Sequence, residues 1–146
     1  MARIYLDTNV WGRPFDEQRE KKIREESKAF FKILESCYYG QEHVIVGSLI
    51  LDDEIEQIKD EGKKEAVKAI VDLFAAEKID RFSKSLQREI KEAGLKDKDA
   101  LHLAFALENS DYFITCDDEI LNIRKDIKKR YGIEVVNPVE FVKEEL

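Results

Sequence analysis

The sequence predicts an α/β protein, a three-layer α/β/α sandwich over a mainly parallel sheet of about five strands. Short β-type runs alternate with helical repeats from one end of the 146 residues to the other. No linker, internal repeat or low-complexity segment divides them, so residues 1–146 read as a single domain. Strands separated by helices need crossover connections, which cover both faces of a parallel sheet.

The first strand is expected at Ala2 to Leu6, stopping at Asp7-Thr8-Asn9. From about Glu17 to Tyr39 the pattern predicts a long helix, with Ile23, Phe30, Ile33, Leu34 and Cys37 recurring along it and Gly40 as its stop. His43 to Gly47 reads as the second strand, ending at Ser48. One helix then carries Leu51, Ile55 and Ile58, and Gly62 separates it from another with Val67, Ile70, Val71 and Phe74. A third strand is expected at Ile79 to Phe82, followed by a short helix from Ser83 to Ala93 closed by Gly94. Asp97 opens a strongly apolar helix, DALHLAFAL. The fourth strand is Tyr112 to Thr115, Asp117 to Tyr131 forms one helix, and Ile133 to Val136 is the fifth strand before Asn137-Pro138. Val139, Phe141 and Val142 then serve either an interface or the sealing of a last helix onto the sheet.

Composition excludes several classes. Two prolines and six glycines rule out collagen-like and proline-rich chains. Cys37 and Cys116 lack the paired spacing of a thiolate zinc site or a disulfide framework, and both read as small buried hydrophobes. No apolar run approaches the ~18 residues that span a bilayer, and MARIYLD reaches an acid too soon for a signal peptide. The expectation is a soluble, cytoplasmic protein without membrane association. Charged residues make up 39%, mostly interleaved Lys and Glu, and the net charge is −7. That acidity argues against a general nucleic-acid coat, because non-specific binding is driven by phosphate neutralisation. Any nucleic-acid role is therefore local. Arg19 to Lys32 and Arg124 to Arg130 supply cations but read equally as solvated helix faces, whereas Arg13 lies nearer the strand ends and is a candidate phosphate contact.

In a parallel sheet, ligands bind at the carboxyl ends of strands, near the point where strand order reverses. Asp7 follows the first strand and Asp117 the fourth, Asp99 lies in the first turn of the helix leading into the fourth, and Glu54 follows the second by about one and a half turns. Four acids from four segments would meet at one rim, where each raises its neighbours' pKa unless a cation supplies the missing charge. Oxygen-only ligands point to Mg²⁺ or Mn²⁺. The same acids have structural readings. Asp97 and Asp99 suit the start of a helix, Asp117 or Thr115 could cap the helix from Asp118, and Glu54 shares a solvated acidic face with Asp52, Asp53 and Glu56. His102, three residues after Asp99, and His43, opening a strand, both read as packed histidines.

IYLDTNVW, the run from Ser48 to Glu54, DALHLAFA from Asp99 and FITCD ending at Asp117 together resemble a PIN domain, with the elements in that family's order over nearly the whole chain. The resemblance implies a metal-dependent ribonuclease with Asp7, Glu54, Asp99 and Asp117 as its four-carboxylate Mg²⁺ or Mn²⁺ site. It makes Thr8, Asn9, Ser48 and Thr115 supporting polar residues. RNA is the implied substrate, cut to leave 5′-phosphate and 3′-hydroxyl ends. The toxin half of a VapBC-type toxin–antitoxin pair is one implied role, with an antitoxin protein and a homodimer as implied partners. Asp97 and Asp118 duplicate two of the acid positions and stand as alternates, and Trp11 to Asp16 form a loop that shapes the substrate entrance. An aspartate-based phosphatase would need a second acid where Asn9 stands, and a receiver domain lacks its acidic pair. The competing reading is a non-catalytic PIN-like module that binds metal, RNA or protein.

Overall fold

Five strands, β1 (Ala2–Leu6), β2 (His43–Ser48), β3 (Ala75–Ile79), β4 (Tyr112–Ile114) and β5 (Glu134–Val136), form one parallel sheet in the computed structural model, which describes residues 2–40 and 43–146. Their order is β3-β2-β1-β4-β5. Helices α1 (Thr8–Gly12) and α2 (Lys21–Glu35) connect β1 to β2, and α3 (Leu49–Glu56) and α4 (Glu61–Phe74) connect β2 to β3. Helices α5 (Lys84–Glu92) and α6 (Asp97–Leu107) then carry the chain across to β4, α7 (Asp118–Asn122) and α8 (Arg124–Tyr131) lead into β5, and α9 (Pro138–Glu145) follows it. Strand order reverses between β1 and β4, so the crevice expected to bind ligands lies at the carboxyl ends of those two strands.

The sheet is buried on both faces because its central strand is apolar at consecutive positions. Ile4, Tyr5 and Leu6 are all fully buried. Ile4 and Leu6 pack with Trp11, Phe30, Ile33, Val67, Val71 and Phe141 on one side, while Tyr5 faces Leu103, Ala104, Phe113, Ile120 and Ile127 on the other. Phe141 meets Tyr112 and His43 edge-on and seals α9 against the sheet, which decides between the two readings of that apolar segment. Gly94 closes α5 at φ 110°, a conformation that favours a residue without Cβ.

Three elements differ from the sequence pattern. The third strand lies at Ala75–Ile79, not Ile79 to Phe82, and runs directly out of α4. It pairs only with β2 and exposes Ala76, Glu77 and Lys78, so an edge strand protected by charge carries no hydrophobic alternation. The long first helix is shorter: α2 begins at Lys21 and ends at Glu35, and a π-helical turn occupies Ser36–Gly40. Residues before Lys21 are held by side chains, with Arg24 donating to the Gln18 and Arg19 carbonyls. The helix expected from Asp117 to Tyr131 breaks at Ile123, whose N–H closes back on Ile120 and Leu121. No glycine or proline marks that break in the sequence.

Candidate functional site

Asp7 directly follows β1 and is only 5% exposed. Its Oδ1 accepts the Thr8 N–H at 2.8 Å, capping α1, and its Oδ2 accepts from Thr115 Oγ1 at 2.8 Å and Asn9 Nδ2 at 3.3 Å. Thr115 follows β4 directly, and its hydroxyl also accepts the Asp117 N–H at 3.0 Å. Asn9 Oδ1 accepts the Cys116 N–H at 3.1 Å. The polar residues flanking the acids thus tie the ends of β1 and β4 together and fix the Asp7 carboxylate at the strand-order reversal. Burial raises the pKa of Asp7, against the lowering effects of His102 and the Thr115 hydrogen bond.

Asp99 stands in the first turn of α6 and is half-buried. Its Oδ2 is buried with no hydrogen-bond partner among the described residues. Burial, then the charges of Asp7 and Asp117, push its carboxyl up to about 6. Asp117 caps α7, accepting the Glu119 N–H at 2.9 Å, and lies close enough to act on Asp99 electrostatically. The duplicate acids stand elsewhere. Asp97 is 72% exposed and pairs with Lys91 at 2.6 Å, and Asp118 is 73% exposed and pairs with Lys22 at 3.2 Å.

Glu54, on α3, accepts Thr8 Oγ1 at 2.7 Å and meets His102 Nε2 in a short hydrogen bond, both on Oε1. Burial pushes its carboxyl up, but those two donors outweigh it and hold Glu54 below the usual glutamate value. His102 is 1% exposed, and its Nδ1 meets the Tyr5 hydroxyl at 2.6 Å, which in turn meets Ser48 Oγ at 2.6 Å. Burial lowers the imidazole pKa, yet the Glu54 hydrogen bond and the nearby carboxylates leave it raised. The packed-histidine reading missed this contact. Its signal was the three-residue step from Asp99, which brings the two side chains to neighbouring positions on one helix surface.

Asp7, Glu54, Asp99 and His102 line a cavity of about 360 Å³, together with Gly12, Asp16 and Lys63. The segment Trp11 to Asp16, expected as a loop, is instead the end of α1 and a 3₁₀ turn at Arg13–Phe15; its Gly12 and Asp16 line the cavity, but Arg13 does not. Its guanidinium is held by Glu26 at 2.9 Å and Asp16 at 3.2 Å, because Glu26 is buried and needs a cation. Lys63, which sequence reasoning passed over, is the cation at the cavity, 3.0 Å from Asp16. Among the described residues no three His, Cys, Asp or Glu side chains are arranged to hold a metal ion as they stand. The fit to a metal rests on Asp99 Oδ2, a buried carboxylate oxygen with no donor, flanked by two more acids. Such an open, oxygen-only set suits Mg²⁺ or Mn²⁺, which bind through few carboxylates and keep several waters.

The architecture is the PIN-like α/β/α sandwich. Comparison with solved structures matches 92% of this chain to 98% of a chain in VapBC2 from Rickettsia felis bound to a DNA fragment from their promoter, at 18% identity and a TM-score of 0.58. FitAcB from Neisseria gonorrhoeae matches at 20% identity and a TM-score of 0.56, covering 92% of this chain and 97% of that one. FitAB bound to an IR36 DNA fragment matches at 21% identity and 0.58, covering 93% and 95%. At these identities the likeness concerns the fold. No family model matches the chain, and no curated protein matches it in sequence.

Proposed function

We propose that this chain is a Mg²⁺- or Mn²⁺-dependent ribonuclease that hydrolyses RNA phosphodiester bonds at the rim formed by Asp7, Asp99, Asp117 and Glu54. The observation that carries the reading is the unpartnered Asp99 Oδ2, buried beside two further aspartates at the strand-order reversal. Three carboxylates so close need a cation to ionise together. When bound, a divalent ion there supplies activated water and charge stabilisation for in-line attack on a phosphodiester. Asp7, Asp99 and Asp117 would hold it. Thr115 and Asn9 keep Asp7 in place, Thr8 and His102 keep Glu54 in place, and Lys63 offers the cavity's positive charge to a substrate phosphate.

The choice of RNA rests on the resemblance of the four motifs to PIN domains. The VapBC2 and FitAB likenesses support a VapBC-type toxin role with an antitoxin partner, and a homodimer is the family-like assembly. Among the described residues no helix is long and apolar enough to cross a membrane, and a cytoplasmic site of action belongs to this reading.

The test is cleavage of a mixed set of end-labelled RNAs by purified protein with Mn²⁺, Mg²⁺ or EDTA, beside Asp7→Asn. Cutting that EDTA and Asp7→Asn both abolish supports the nuclease. Equal cutting by the variant overturns the assignment of Asp7, and no cutting by the native chain with any metal favours the PIN-like binding module.

A further inference from the structure

Four polar side chains, two of which line the cavity, close through α3 into a ring that the carboxylate chemistry alone does not require. Ser48 caps α3 by accepting the Leu51 N–H at 3.2 Å and meets the Tyr5 hydroxyl at 2.6 Å. Tyr5 meets His102 Nδ1 at 2.6 Å, and His102 Nε2 returns to Glu54 on α3. Ser48, Tyr5 and His102 are each no more than 1% exposed, so the links among these three are made away from water, while the link to Glu54 is part-buried. A buried histidine is costly unless both ring nitrogens find partners, and here both do, which fixes the orientation of the ring. A leucine would fill the same helix face without these demands.

The ring has a directional consequence. Both donors to Glu54 fall on Oε1, which leaves Oε2 as the oxygen open to another donor. His102 Nε2 is also 3.8 Å from Asp7 Oδ1, so the imidazole edge stands between Glu54 and Asp7. An ion bridging Glu54 Oε1 and Asp7 Oδ1 would have to displace the ring. We infer that His102 is a positioning residue, which holds Glu54 outside the ion's ligand set and presents it as an acceptor for water at the site. This rests on the metal-dependent reading above. Outer carboxylates and imidazoles of this kind fix the orientation of groups around a metal, and their loss costs about 10–100-fold in activity or affinity.

The experiment compares His102→Leu, His102→Gln and Asp99→Asn with the native chain. Mn²⁺ affinity is measured calorimetrically without RNA, and kcat and KM are measured on labelled RNA. Gln restores a side-chain N–H near the Nε2 position, while Leu fills the space without one. The expected result is Mn²⁺ affinity within about threefold of native in His102→Leu, against a loss above about tenfold in Asp99→Asn. In the same variant kcat falls about 10–100-fold at unchanged KM, and His102→Gln recovers most of it. If His102→Leu does not fold, Tyr5→Phe, which removes only the hydroxyl holding Nδ1, gives the same pattern in smaller degree. Mn²⁺ affinity lost as severely as in Asp99→Asn, or kcat unchanged in His102→Leu, overturns the inference. If the native chain binds Mn²⁺ but cuts no RNA, the nuclease reading fails alone, and the affinity comparison still decides whether His102 acts outside the ligand set. A native chain that binds no Mn²⁺ overturns both.

Discussion

Thr115 Oγ1 donates to Asp7 Oδ2 at 2.8 Å, joining the ends of the two strands between which the sheet order reverses. The same hydroxyl accepts the Asp117 N–H at 3.0 Å, so one buried threonine sets the placement of two acids. Thr115→Val keeps the shape and removes both bonds, together with the one that the hydroxyl accepts from Asn9 Nδ2 at 3.4 Å. It should cost about 1–3 kcal/mol, read as a fall in melting temperature of about 3 °C per kcal/mol. Metal-dependent cleavage should fall with it, whereas a loss of stability alone would place Thr115 in the scaffold only.

Asp99 is held near pKa 6 in the metal-free protein, above its ordinary 3.8. A carboxyl raised in the folded state binds its proton more tightly there than in the unfolded chain, so this group lowers stability as pH rises from about 4 to 6, with the full penalty above 6. In EDTA at pH 7.5, Asp99→Asn should therefore melt higher than the native chain, by about 0.5–2 kcal/mol. The gap should close near pH 4. A lower melting temperature at pH 7.5 would contradict the crowded-carboxylate account.

Metal binding competes with that same proton. At subsaturating Mn²⁺, affinity should fall as pH drops below about 6, because Asp99 is then protonated. Calorimetry in two buffers of different ionisation enthalpy reads the released proton directly. No proton release at pH 5.5 would remove Asp99 from the ligand set.

The Glu54–His102 contact has its own pH window. Glu54 is held below its ordinary 4.5, so its contribution is present above pH 4.5 and lost as pH falls through the depressed value. His102 is held above its ordinary 6.5, so its contribution is complete below pH 6.5 and lost as pH rises through the raised value. The pair stabilises most between these limits. Glu54→Gln should cost about 1–3 kcal/mol at pH 5.5 and clearly less at pH 9. Equal losses at both values, measured by thermal unfolding in EDTA, would show that the charges do not matter.

Phe141 is fully buried between α9 and the sheet, where it meets Tyr112 and His43. Phe141→Ala should destabilise by about 3–5 kcal/mol. Mn²⁺ affinity of the folded fraction should stay unchanged, and a loss of affinity would tie α9 to the site.

The central layer was legible because β1, β2, β4 and β5 carry apolar runs that stop at polar or turn residues, and the acids stand where those runs or the next helix begin. Where the pattern failed, physics other than hydrophobic periodicity decided the structure. Edge strand β3 is written in charge, and the α7–α8 break falls at Ile123 between two isoleucines, Ile120 and Ile127, that are both buried. Asp97 and Asp99 are indistinguishable as first-turn acids in sequence; only packing exposes one and buries the other. Arg13 looked available because its partner, Glu26, lies 13 positions away. His102 was hidden among apolar neighbours in ALHLA, where burial is expected and a polar contact across the sheet's edge is not.

The account depends on a divalent ion at the rim, and anomalous diffraction from Mn²⁺-soaked crystals tests it most directly. The prediction is one anomalous peak in contact with Asp99 Oδ2 and shared with Asp7 and Asp117, with Glu54 still bonded to His102. A soak that leaves this rim without Mn²⁺, or places the ion against Asp97 or Asp118, would contradict it.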